Sequence, residues 1–248
     1  MRPIIVITGG SRGIGARCAT LAAERGYDVC FSYVSNSEAA EQVRAQCEST
    51  GARAVAVQAD VSSEDDVVAL FATCVDQLGT PTVVVNNAGV LGQQGPLADF
   101  TAERMKWTVD VNVYGALLVM REAARTLSTD RGGAGGSIIN VSSRASTMGS
   151  PFEYVDYAAT KGAVDTATLG LAKELGAVGV RVNAVRPGVI YTDIHASGGE
   201  PDRIARIAKV IPQGRGGQPE EIADVILWLA SDEASYVNAA LIDAGGGR

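Results

Sequence analysis

Seven short apolar runs, separated by longer stretches of helical period, leave this chain very few folds to adopt. The runs occupy residues 3–8, 28–33, 54–58, 82–86, 137–142, 180–185 and 239–243. They are continuous in Val, Ile and Ala without polar alternation, which is how strands buried on both faces read. Between them, Ile14, Cys18, Leu21 and Ala22 recur at helical spacing, as do Val67, Leu70, Phe71, Cys74, Val75 and Leu78. Ile222, Val225, Ile226 and Leu229 form a third such face. The alternation predicts an α/β fold: one doubly wound parallel sheet of about seven strands with helices on both faces. No repeat or domain boundary breaks the rhythm, so residues 1–248 read as a single domain.

Charge and composition exclude several functions. There are 21 Lys+Arg against 28 Asp+Glu, a formal net charge of -7. That balance offers no footprint for nucleic acid and no basic face for an anionic membrane. No apolar run approaches the ~20 residues that span a bilayer. Met1-Arg2-Pro3 runs directly into a strand, so no signal peptide is expected. Cys18, Cys30, Cys47 and Cys74 form no CxxC pair, and three of them lie in apolar helix or strand positions. They read as buried free thiols of a reducing, cytoplasmic compartment. His195 is the only histidine, so neither a metal site nor a two-histidine mechanism is expected. The chemistry must come from a pocket.

One end of that pocket is written in Gly9-Gly10-Ser11-Arg12-Gly13-Ile14-Gly15, which joins the first strand to the first helix. Glycines at 9, 13 and 15 allow a tight turn and close approach to a pyrophosphate, and the helix N-terminus offers N–H groups to it. Strand before and helix after make this the turn of a Rossmann-type dinucleotide fold. An NAD site usually has an acid at the end of the second strand. Here the stretch is Phe31-Ser32-Tyr33-Val34-Ser35-Asn36, with none. Arg12 can meet a 2′-phosphate, and Ser35 and Asn36 can donate to it. The cofactor reading is therefore NADP(H) over NAD(H). The alternative is that Arg12 is only a solvent-facing helix-start residue. Asp60 either accepts from an adenine amino group or caps the helix starting near Ser63. Asn86-Asn87-Ala88-Gly89 ends the fourth strand as a crevice floor or as a plain turn.

The other end is chemical. Tyr157 and Lys161 are four apart in a helical stretch and share one face. A phenol with reference pKa ~10 is a poor base at neutral pH, and a neighbouring cation lowers it. The fifth strand ends in Ser142-Ser143, which places a hydroxyl at the same sheet edge as the glycine loop. The Gly/Pro-rich stretch 188–217 interrupts the strand–helix rhythm, with a helix over 202–210 between glycine-containing joints. Its composition suits a substrate lid or a surface insertion.

Taken together, TGGSRGIG at 8–15, NNAG at 86–89, Asn112, NVSS at 140–143, YAATK at 157–161 and RPG-x-x-x-T at 186–192 resemble the short-chain dehydrogenase/reductase family. The resemblance spans essentially the whole chain, and within the family it is nearest to tetrameric bacterial sugar or 3-oxoacyl reductases. It implies a catalytic set of Asn112, Ser143, Tyr157 and Lys161. Tyr157 would be the general acid/base. Lys161 would hold the nicotinamide-ribose hydroxyls and depress the Tyr157 pKa. Ser143 would bond the substrate oxygen. Asn112, at a helix irregularity, would order a water that relays protons to Lys161.

The cofactor set is then Gly9, Ser11, Arg12, Gly13, Ile14 and Gly15; Tyr33, Ser35 and Asn36; Asp60 and Val61; Asn87, Ala88 and Gly89; Tyr157 and Lys161; and Pro187, Gly188, Ile190 and Thr192. The expected partners are a small-molecule carbonyl/alcohol substrate and three further copies of the chain, a homotetramer. Tyr157 lies one position further from Ser143 than is commonest in the family, and Ser142 would be further still. An insertion in 149–156 is therefore expected to reshape the pocket wall. Pro151, Phe152, Glu153 and Tyr154 become specificity candidates, with Leu91, Gln93, Gln94, Tyr191, Ile194 and His195. Trp107, Trp228 and Tyr236 read as packing residues, the latter two within the chain or at a subunit contact. The function expected is hydride transfer between NADP(H) and a small carbonyl/alcohol pair. The rival readings are an NAD-preferring sugar or alcohol dehydrogenase, a non-catalytic dinucleotide-binding regulator, and a scaffold.

Overall fold

The strands fall where the apolar runs are. In the computed structural model, which describes residues 2–192, 198–200 and 203–248, they are β1 (Ile4–Ile7), β2 (Asp28–Tyr33), β3 (Ala54–Gln58), β4 (Val83–Asn86), β5 (Gly136–Val141), β6 (Val180–Pro187) and β7 (Leu241–Ala244). Every pairing is parallel, in the order β3-β2-β1-β4-β5-β6-β7. Expected ends shift by one or two residues. Thr8, for instance, leaves β1 because its hydroxyl accepts from the Asn87 and Ala88 N–H groups at 3.0 Å.

The helices are α1 (Gly13–Glu24), α2 (Ser37–Ser49), α3 (Glu64–Gln77), α4 (Ala102–Val109), α5 (Ala116–Leu127), α6 (Ala145–Met148), α7 (Val155–Leu175), α8 (Arg203–Ala208) and α9 (Pro219–Ala230). The period-2 pleat sends alternate residues of each strand to opposite faces. Ile5, Ile7, Phe31 and Val85 pack with Cys18 and Ala22 of α1 and with Ile222 and Ile226 of α9. Ile4, Val6, Cys30 and Val84 pack on the other face with Leu70 and Phe71 of α3 and Val119 of α5. All four cysteines are buried and free.

The strand order reverses between β1 and β4, which sets the carboxyl ends of those strands over one crevice. In open α/β sheets that is where ligands bind. The expected helix over 202–210 is seen as α8, its first residue lying outside those described. Tyr236 does not pack within the chain: its side chain is fully exposed, which leaves the subunit-contact reading as it was. Trp107 and Trp228 are also partly exposed, and Trp107 faces the crevice instead of the core.

Candidate active site

A cleft of about 980 Å³ runs along the carboxyl ends of the strands, at the upper end of the ~300–1,000 Å³ usual for small-molecule sites. At one end the chain after β1 turns through Gly9 at φ +65°. A Cβ on Gly15 would be driven into the Gly9 carbonyl and would stand 2.5 Å from Asn87 Nδ2. Only glycine allows this closeness of loop, helix and β4 end. Asn87 braces the turn, its Nδ2 donating to the carbonyls of Thr8 and Gly9 at 2.8 and 3.1 Å. Ser32, absent from the expected set, does the same: its Oγ accepts from the Gly9 N–H at 3.1 Å.

The N-terminus of α1 has neither a side-chain cap nor an acid in its first turn. Its positive end is left for an anion, as a pyrophosphate site requires. This cradle fits a dinucleotide. Ser11, Arg12, Gly13, Ile14, Tyr33, Ser35 and Asn36 line it, with Asp60, Val61, Ala88 and Gly89. Arg12 is exposed, and its guanidinium has no partner among the described residues. Asn36 Oδ1 is taken by the Ala39 N–H at 2.9 Å, capping α2. Asp60 does not cap α3. Ser63 does, and Asp60 Oδ1 instead accepts from Ser62 N and Oγ at 2.9 and 2.7 Å.

At the other end, β5 delivers Ser142 and Ser143, and α7 delivers Tyr157 and Lys161. Ser142 Oγ is buried and donates to the Lys161 carbonyl at 3.2 Å, away from the phenol. Ser143 faces the cleft, as Tyr157 does, and its Oγ accepts from the Ala145 N–H at 3.1 Å. Lys161 is buried, and its Nζ donates to the Val141 carbonyl at 2.8 Å. Burial lowers Lys161 to about 8, opposed by the carboxylate of Asp165 one turn on.

The expected depression of Tyr157 by Lys161 is corrected. Burial pushes the phenol up to about 12, and the Ser143 hydroxyl pulls it back less strongly. Lys161 Nζ lies 5.6 Å from the centre of the Tyr157 ring and is turned toward Val141. It does not offset the desolvation.

Asn112 lies behind this pair and does not itself line the cleft. It sits in a π-helical turn, Asp110–Gly115. Its amide is spent on Val90, accepting from the N–H at 2.8 Å and donating to the carbonyl at 2.9 Å. A Cβ on Gly89 would lie 3.3 Å from Asn112 Oδ1 and 3.5 Å from Lys161 Nζ, so this glycine keeps the three groups together.

Pro187, Gly188, Ile190 and Thr192 close the cleft from β6. The 149–156 segment does form a wall through Pro151, Glu153 and Tyr154. Phe152 is 81% exposed and points away from it. Leu91 lines the cleft, whereas Gln93, Gln94 and Tyr191 do not; Ile194 and His195 fall outside the described residues. Arg144, Arg203 and Arg248 also line the cleft, and no local motif marked them.

The comparisons agree with this geometry. Residues 9–248 match a family model described as enoyl-(acyl carrier protein) reductase, adh_short_C2. The chain is 51% identical over 246 residues to "Uncharacterized oxidoreductase YgfF" of Escherichia coli (strain K12), covering 99% of each. Its fold is similar to 3-ketoacyl-(acyl-carrier-protein) reductase from Brucella melitensis complexed with NADH, with TM-score 0.91 and 29% identity, covering 99% of this chain and 98% of that one. It is similar to a blue fluorescent protein from a metagenomic library in complex with NADPH, with TM-score 0.90 and 33% identity, covering 99% and 97%. The chain belongs to the short-chain dehydrogenase/reductase family of NAD(P)-dependent oxidoreductases.

Proposed function

We propose that this protein reduces a small carbonyl compound to its alcohol with NADPH, Tyr157 giving the proton. The observation that carries this reading is that Ser143, Tyr157 and Lys161 line one end of the cleft whose other end is the glycine cradle. At neutral pH the phenol holds its proton and can give it to the carbonyl oxygen as the hydride arrives. The bound nicotinamide would supply the hydride. Ser143 holds the carbonyl oxygen within hydrogen-bond reach of the phenol. Lys161 binds the ribose hydroxyls. Asn112, its side chain engaged by Val90, orders the relay water through its main chain. The preference for NADP(H) is supported by the absence of an acid at the end of β2 and by the unpartnered Arg12.

Three finer readings complete the proposal. Residues 188–217 act as a lid. Their helix α8 has its own small apolar cluster of Val189, Ile204, Ile207 and Ile211, and ion pairs to Glu153 tie it to the 149–156 segment. The chain assembles as a homotetramer, supported by exposed Val109, Tyr114 and Leu117 on the α4–α5 side. It works in the cytoplasm, where four unpaired thiols stay reduced.

The test is nucleotide oxidation against a panel of ketones, aldoses, quinones and 3-oxoacyl thioesters. Tyr157→Phe is expected to lose roughly 10²–10⁴-fold in kcat while still binding nucleotide. Unchanged turnover in that variant sinks the mechanism. Arg12→Ala is expected to weaken NADPH binding and leave NADH binding alone; tighter NADH than NADPH binding in the parent overturns the cofactor choice.

A further inference from the structure

The wall of the cleft beyond Tyr157 carries charge that carbonyl reduction alone leaves unused. Arg203 opens α8, lines the cleft and is 7% exposed. One of its nitrogens reaches Glu153 at 2.6 Å. The other, Nη1, is buried without a hydrogen-bond partner. A carboxylate oxygen of Glu200 stands 3.6 Å from it, beyond bonding distance, and Glu200 is engaged by Arg206 at 2.5 and 2.8 Å. Arg248 lines the same wall, and its guanidinium has no partner among the described residues. Burial draws Arg248 below its ordinary value, and the charge of Arg203 draws it further, so the two guanidiniums feel each other.

The remaining charges nearby do not cancel this surplus. Arg144 faces the cleft but is held by Asp243 at 2.5 Å and by the Arg248 main-chain oxygen at 2.8 Å. Glu153 lines this wall and Glu200 stands behind it, and these two carboxylates serve Arg203 and Arg206, leaving the charge of Arg248 unmatched. A buried donor without an acceptor costs free energy, and two like charges facing one cavity cost more. An oxyanion between them satisfies both, because the guanidinium fork matches carboxylate and phosphate oxygens. Arg203 is set in place beforehand: the Tyr154 ring lies 5.0 Å from its guanidinium, and the Tyr154 hydroxyl donates to the Gly198 carbonyl at 3.2 Å.

We propose that the substrate carries an oxyanion, a carboxylate or a phosphate monoester, at the end remote from its reacting carbonyl, and that Arg203 and Arg248 grip it. This inference rests on the carbonyl-reduction reading and names the substrate class for that site.

The test uses matched probes with each nicotinamide nucleotide: straight-chain oxo acids of increasing length against their methyl esters, and short hydroxyaldehydes with and without a terminal phosphate. A charged series is expected to exceed its neutral counterpart by at least about tenfold in kcat/KM. That preference is expected to collapse in R248Q, which breaks no ion pair, and in R203Q where that variant folds. Turnover confined to the acids identifies the carboxylate; turnover confined to the phosphates identifies the phosphate. Equal turnover of charged and neutral probes, or a preference that survives R248Q, overturns the inference and leaves carbonyl reduction standing. No turnover of any probe by protein that binds nucleotide overturns both.

Discussion

Lys161 and Tyr157 sit one turn apart on α7, and burial acts on them in opposite senses. Lys161 is lowered to about 8 from 10.5, so between those pH values the unfolded chain binds more protons than the folded one. Stability without nucleotide should therefore rise as pH climbs through that window. Tyr157 is raised to about 12 from 10.0, so its contribution is present below pH 10 and lost as pH rises toward 12. At pH 7 the buried ammonium costs roughly 3 kcal/mol, offset in part by its bond to Val141. Lys161→Met should abolish turnover yet melt no lower than the parent at pH 7, and the difference should close above about pH 10.5. Thermal melts across pH check this; a clear loss of stability at pH 7 contradicts it.

At the scale of elements, two turns carry opposite lessons. The glycine turn admits no side chain: Gly15→Ala, meeting the Gly9 carbonyl, should remove nucleotide binding and lower Tm, read by fluorescence titration and melting. The 149–156 turn is instead forced. Ser150 and Phe152 hold φ of 43° and 63°, a region that costs ordinary residues roughly 1–2 kcal/mol each. The Phe152 side chain gains nothing there, since it lies in solvent. Phe152→Gly should raise stability by up to ~1 kcal/mol and leave the cleft wall intact; a lower Tm refutes the strain.

These turns also mark the limit of what the amino-acid order reveals. The strands were legible because burial on both faces leaves an unbroken apolar run. Tyr157 and Lys161 were legible because the helical period puts them on one face. The capping choice of Ser63 over Asp60 turned on hydrogen bonds between residues too similar to rank in advance. Arg203 and Arg248 lie far apart in sequence and line one cleft only in the folded chain, so no spacing announced them. The upward shift of Tyr157 escaped because it depends on how far the folded chain buries the phenol.

For the whole molecule, a bound nucleotide joins strand ends from across the sheet, so it should stabilise the fold as a unit. At 100-fold its dissociation constant the gain is about 2.7 kcal/mol, visible as a thermal shift. The proposed homotetramer predicts a solution mass four times 25.6 kDa by light scattering. Tyr114→Glu with Leu117→Glu should reduce it, whereas a monomeric parent would remove the assembly reading.

The order β3-β2-β1-β4-β5-β6-β7 has a temporal consequence. The glycine turn leaves the ribosome well before Ser143, Tyr157 and the Pro187–Gly188 bend. Parallel neighbours cannot pair until long crossovers are complete. A nascent chain is thus unable to recruit its coenzyme as a folding template during most of translation. Its first four strands need no such help, since β3-β2-β1-β4 pair among themselves and can close half of the sheet before the catalytic side chains are made.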